Sequence, residues 1–180
     1  MQVTPTAIPD IKLIEPKVFG DARGFFFESY NRLSFSTAGL GAEFVQDNHS
    51  RSHRGVLRGL HYQIEHAQGK LVRAIAGVVF DVAVDLRRGS PTFGEHVAIE
   101  LSADNKRMLW IPPGFAHGFI VVSEAAEFAY KATDYWYPEH ERTLLWNDPA
   151  LRIRWSLAGE PVITPRDAAG SPLAAAATYP

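Results

Sequence analysis

The sequence predicts an all-β sandwich or barrel. Apolar residues recur with a period of two rather than 3.6. The strand-like runs are short, and glycine and proline punctuate them at regular spacing. Helix-forming stretches are few. The clearest strand is Val78 to Asp85, with Val78, Phe80, Val82 and Val84 on one face and Val79, Asp81, Ala83 and Asp85 on the other. Both acids fall on the less apolar face.

The remaining elements follow in chain order. Lys12–Glu15 reads as a strand, bounded by the Gly20-Asp21 turn. Asn31 to Ala38 predicts a short helix stopped by Gly39. Phe44–Asn48 is an apolar strand that closes in the polar cluster Gln46-Asp47-Asn48-His49-Ser50, a loop-like composition. Gly55 opens Val56–Gln63, Gly69 precedes Leu71–Ala76, and Gly77 separates that strand from Val78–Asp85. After Gly89-Ser90-Pro91 come His96–Leu101 and Arg107–Ile111. Pro112-Pro113-Gly114 then leads to Gly118–Val122, and Glu127–Ala132 runs toward Pro138. A further helical turn is expected from Pro149. No internal repeat or linker divides the chain, so residues 1–180 are expected to form one domain. The alanine-rich stretch from Ala168 to Pro180, with Gly170 and Pro172, is expected to be a loosely held tail.

Composition narrows the function. The formal net charge is -2, with 21% charged and 46% hydrophobic residues. Nothing there draws the chain toward nucleic acid or an anionic membrane. There are no cysteines, which excludes disulfides, thiol catalysis and thiolate metal sites. Met1 to Pro5 lacks the pattern of a signal peptide, and no apolar run approaches the ~20 residues of a membrane helix. The expectation is a soluble, cytoplasmic protein. No glycine-rich loop of nucleotide-cofactor type and no G-x-S-x-G elbow occurs.

The chemistry concentrates in Arg58-Gly59-Leu60-His61-Tyr62-Gln63 and Gln68-Gly69-Lys70-Leu71-Val72-Arg73. Ionisable groups in apolar strands are costly unless paired. A base, an ammonium and guanidinium groups together suit binding an anion, removing a carbon-bound proton and holding the resulting enolate. An isolated histidine such as His61 is ordinarily a satisfied core residue, and Lys70 at a strand start is ordinarily solvated. Arg58 has the opposite strand parity from His61, a difficulty that a bulge at Gly59 would relieve. Pro112-Pro113-Gly114-Phe115-Ala116-His117 resembles the second cupin motif, whose histidine often binds metal. The H-x-H of the first cupin motif is broken here by His61-Tyr62-Gln63, and His66 sits in a loop. A divalent metal site needs three or four ligands, so a metal-free pocket is expected. Tyr130 lies on an apolar strand, where a buried hydroxyl needs a partner. Tyr135-Trp136-Tyr137 is either rim packing or a stacking surface. Arg23 sits in a turn before three phenylalanines.

Seven segments in order resemble the dTDP-4-dehydrorhamnose 3,5-epimerase family, also called dTDP-4-keto-6-deoxyglucose 3,5-epimerases. They are Glu15 to Asp21, Arg23 to Glu28, Phe44 to Ser50, Gly55 to Gln63, Gln68 to Arg73, Ser90 to Gly94 and Trp110 to Phe119. The resemblance spans about Ile8 to Asp167. It implies a cupin-like jelly roll, a double-stranded β-helix with a few short helices, needing no metal or other cofactor. It also implies a homodimer with exchanged N-terminal strands, acting on a dTDP-sugar in dTDP-L-rhamnose synthesis. By position, His61 matches the family's general base, Tyr130 its acid, Lys70 the lysine near the keto oxygen, and Asp167 the carboxylate behind the histidine. Arg23, Glu28, Gln46, Asp47, Asn48, Arg58, His117 and Glu141 match substrate-binding positions. Arg166 stands where many members carry lysine, which keeps the charge but changes the geometry. The other readings are an epimerase acting at C3 or C5 alone, a metal-dependent cupin, and a jelly-roll module that binds sugar nucleotides without turnover.

Overall fold

Period-two patterning folds into two facing antiparallel sheets. The computed structural model describes residues 1–156 and 159–180. Its strands are β1 (Gln2–Pro5), β2 (Lys12–Glu15), β3 (Val18–Asp21), β4 (Gly24–Phe27), β5 (Gln46–His53), β6 (Leu57–Gln63), β7 (Lys70–Ala76), β8 (Val78–Asp85), β9 (His96–Ser102), β10 (Met108–Ile111), β11 (Phe115–Val121), β12 (Ala125–Ala132) and β13 (Glu141–Thr143). A six-stranded sheet runs β1-β2-β10-β7-β12-β5, and a five-stranded sheet runs β13-β6-β11-β8-β9. β3 and β4 form a hairpin that pairs with no other strand among the described residues.

The predicted alternation of β8 is real, but its inward face is the one with the acids. Val79 and Ala83 join Val72, Phe119 and Phe128 in the core between the sheets. Val82 and Val84 point the other way, into a second buried cluster with Leu60, Tyr62 and Ala176. Asp81 and Asp85 are fully buried, and both are paired. Asp85 accepts from the Arg87 backbone and guanidinium, Ser90 and Thr92. A buried carboxylate is stable only with such partners.

Two expectations need correction. The polar cluster after Val45 is strand, not loop: β5 runs from Gln46 to His53 and pairs along its whole length with β12. Its polar sequence fits an edge strand, where alternate residues face solvent. The closing stretch is docked rather than loose. Tyr179 bridges to Arg87, the Tyr62 hydroxyl donates to Ala177 O at 2.7 Å, and Ala176 is buried. These contacts cover the outer face of the five-stranded sheet, whose apolar side chains would otherwise meet water.

The helical elements are short. α1 (Arg32–Thr37) is capped by Asn31, which accepts from Leu33 N and Ser34 N, and it buries Phe35. The turn expected from Pro149 is a 3-10 helix over Pro149–Leu151. α2 (Pro165–Ala168) was not expected; Thr164 caps it, and it presents Asp167 to the interior.

Candidate active site

The bulge that Gly59 suggested is present. Between β6 and β11 the register steps from His61↔His117 to Arg58↔Phe119, so one extra residue lies on β6. Gly59 has φ +123, and a Cβ there would lie 2.6 Å from Gly118 Cα. Only two glycines let these backbones approach so closely. The extra residue reverses parity, and Arg58 and His61 line the same cleft. Arg58 Nε donates to Ser52 Oγ at 2.9 Å.

His61 Nε2 lies 2.7 Å from Asp167 Oδ1, and the second carboxylate oxygen accepts from Gly59 N at 3.2 Å. Burial alone would raise the Asp167 pKa. The bonds and charge of His61, the Gly59 amide and Thr164 outweigh it and hold the carboxyl below its ordinary value. With Nε2–H donating to the carboxylate, Nδ1 carries the free lone pair.

Lys70 and Tyr130 reach the cleft from the facing sheet. Lys70 opens β7, and its ammonium lies 5.7 Å from the Tyr130 ring centre. Lys70 is buried rather than solvated, and burial lowers its pKa to about 8 against the opposing charges of Glu141 and Asp81. The Tyr130 phenol is pushed up, first by burial and then by Glu141, with Arg58 opposing. The cleft has two lobes of about 270 and 580 Å³, both lined by Asn48, His61, Lys70 and Tyr130.

Further pairs surround this centre. His117, directly across from His61, places Nε2 2.9 Å from buried Asp81. Glu141 accepts from the Trp136 indole at 3.0 Å and pairs with Arg166 at 2.6 Å. Burial opposes ionisation of Glu141, but those two bonds and the nearby His61 charge leave its pKa lowered. Asn48 Nδ2 and Asp81 Oδ1 are buried without a hydrogen-bond partner among the described residues.

Residues 5–175 match the family model described as dTDP-4-dehydrorhamnose 3,5-epimerase. The chain belongs to this family. A Pseudomonas aeruginosa dTDP-4-dehydrorhamnose 3,5-epimerase is 64% identical over 181 residues, covering 100% of both chains. One from Salmonella typhimurium is 60% identical, covering 94% of this chain and 93% of the relative. The crystal structure of a dTDP-6-deoxy-D-glucose-3,5-epimerase from Legionella pneumophila, in complex with dTDP-4-keto-L-rhamnose, is 53% identical. It superposes with a TM-score of 0.94 over 97% of this chain and 93% of that one. The fold is accordingly the cupin-like jelly roll of this family.

In this epimerase-family chain, ten of the thirteen anticipated residues converge on the cleft: His61, Tyr130, Lys70, Asp167, Gln46, Asn48, Arg58, His117, Glu141 and Arg166. Three do not. Arg23 sits at the tip of the β3–β4 hairpin with its side chain 90% exposed, bound to Asp21. Glu28 instead accepts from Asn31 and Ser34 at the start of α1. Asp47 alternates outward on β5 and pairs with Lys131. Sequence reading missed Asp81 behind His117, although an aspartate in an apolar strand signals a buried partner. It also left Trp136 undecided. No cluster of three or more His, Cys, Asp or Glu side chains suited to a metal occurs among the described residues.

Proposed function

We propose that this chain inverts C3 and C5 of dTDP-4-dehydro-6-deoxy-D-glucose through enolates, giving dTDP-4-dehydro-L-rhamnose for dTDP-L-rhamnose synthesis. One observation carries the reading: a carboxylate-backed imidazole on one sheet faces a half-buried phenol and a buried ammonium on the other, around one cleft. The C4 ketone acidifies the hydrogens on C3 and C5. His61 Nδ1 removes one of them, and the electron pair passes to O4. Asp167 stabilises the imidazolium that forms. Lys70 stabilises the oxyanion, an effect worth about 3–4 kcal/mol per donor in comparable sites. Tyr130 returns a proton to the opposite face, inverting the centre; the phenolate then takes a proton from water and the His61 imidazolium releases one to water. Proton transfer of this kind contributes roughly 10²–10⁴-fold. Oxidation state does not change, so the chemistry calls for no redox partner.

Arg58 and Arg166 supply cations for the diphosphate. Gln46, Asn48, His117 and Glu141 bind the remainder of the substrate. We take the functional unit to be a homodimer in which the β3–β4 hairpin of one copy brings Arg23 and Glu28 to its partner's cleft. Its isolation from both sheets and the exposure of Phe19, Phe25 and Phe26 support this arrangement. We place the enzyme in the cytoplasm, in keeping with a cysteine-free chain and a nucleotide-sugar substrate.

The test is incubation with the dTDP-keto sugar in D₂O without added metal or nicotinamide. Product carrying one deuteron at C3 and one at C5 is the expected outcome. Label at a single carbon would assign a one-centre epimerase, and no label with no product would refute the activity.

A further inference from the structure

Gln63 follows His61 by two residues, at the second histidine position of the H-x-H pattern. Its side chain is spent on the backbone. It is 3% exposed. Nε2 donates to His66 O at 2.7 Å and Tyr135 O at 3.1 Å, and Oε1 accepts from Tyr137 N at 2.7 Å. Both amide hydrogens are therefore committed and the carbonyl oxygen already accepts one bond, so the amide is engaged chiefly with the backbone. The two residues held from the 135–137 segment flank Trp136.

Trp136 is the part of that segment that reaches the cleft. It lines the smaller lobe, beside Gln46 and Glu141, and keeps half its surface exposed. Its backbone N–H donates to Gln46 Oε1 at 3.0 Å, and its indole donates to Glu141 Oε2 at 3.0 Å. Tyr137 stacks on His66 at 4.1 Å, so the 66 loop and the 135–137 segment form one unit tied by the Gln63 amide. Without that amide, two carbonyls and one N–H lose their buried partner, and the segment must open to water to satisfy them.

We infer that Gln63 is a positioning residue: it holds Trp136, and through it Glu141, at the mouth of the cleft and so governs substrate capture rather than proton transfer. The inference rests on the epimerase reading for its kinetic consequence. The clamp itself can be tested without substrate.

The experiment uses the full chain as Gln63→Met, which keeps the volume and removes the amide, with Trp136→Ala and the double variant. Mass-spectrometric hydrogen exchange should show faster exchange over residues 135–137 in Gln63→Met and unchanged protection in β6. Unchanged exchange at 135–137 would overturn the clamp. With the dTDP-keto sugar, KM should rise about tenfold in Gln63→Met while kcat stays within about threefold. The double variant should be no worse than Trp136→Ala alone, because the two residues act in series. A kcat loss at unchanged KM, or effects that multiply, would overturn the positioning role. If Gln63→Met does not fold, Gln63→Glu retains the acceptor for Tyr137 N. It should raise KM at pH 8, where a carboxylate faces two carbonyls, and an unchanged KM there would overturn the inference. Failure of the parent to turn over would refute the epimerase reading and leave the exchange result to decide the clamp.

Discussion

His61 and His117 are cross-strand neighbours, each within hydrogen-bond distance of a carboxylate, yet they differ in access. His61 retains 29% side-chain exposure toward the cleft, whereas His117 retains 7%. That contrast favours His61 over His117 as the proposed base. His61→Ala should abolish deuterium uptake into the keto sugar while the circular dichroism stays that of the parent. Tyr130→Phe should still exchange label on the His61 side but form inverted product roughly 10²–10⁴-fold more slowly. Equal loss of exchange and inversion in that variant would contradict the division of roles. Lys70 makes a separate prediction. Its folded pKa, about 8, lies below the ~10.4 of an unfolded lysine. The folded state therefore carries a penalty that is complete below about pH 8 and is relieved as pH rises toward the unfolded value. Lys70→Met should stabilise the fold at pH 7 by on the order of 3 kcal/mol in urea unfolding while losing turnover. Parent activity should fall above about pH 8 as the ammonium is lost. Tyr130 does not set that limb, because burial keeps its phenol protonated to higher pH.

Strands were legible where period-two alternation was strong. Val78–Asp85 matches β8 end to end, and Lys12–Glu15 matches β2. β5 was not legible beyond Asn48, because Gln46, Asn48 and Ser50 face inward without an apolar residue to mark the face. The Gly59 bulge was legible as a parity conflict between Arg58 and His61, although its partner Gly118 was not. The β8 turn carries its own test. Asp85 is fully buried and holds Arg87, Ser90 and Thr92, and those bonds outweigh burial to bring its pKa to about 2. Asp85→Asn breaks that network and should cost about 3–5 kcal/mol by chemical denaturation. The stability contributed by the carboxylate is present above the unfolded pKa of ~3.9 and is lost as pH falls through its folded value. A cost below 1 kcal/mol would mean that the turn holds without its anion.

At the scale of the whole molecule, the least legible features are those that join distant parts of the chain. Nothing in the alanine-rich composition announced that Tyr62 would bond Ala177, or that Tyr179 would bond Gln63 O. Family resemblance nominated Arg23 and Glu28, and within one copy both lie away from the cleft. The proposed exchange of hairpins makes a prediction that neither copy alone can meet. Arg23→Ala and His61→Ala should each be nearly inactive, and refolding them together should restore activity. In a mixed dimer one cleft combines intact His61 with the partner's intact Arg23. Continued inactivity of an equimolar, co-refolded mixture would place Arg23 outside the neighbouring site. The sandwich has one more consequence. Phe119 belongs to the layer that holds His61 and Phe128 to the layer that holds Tyr130, and their rings stack at 4.2 Å. This apolar couple works as a gauge block, setting how far apart His61 and Tyr130 stand across the cleft.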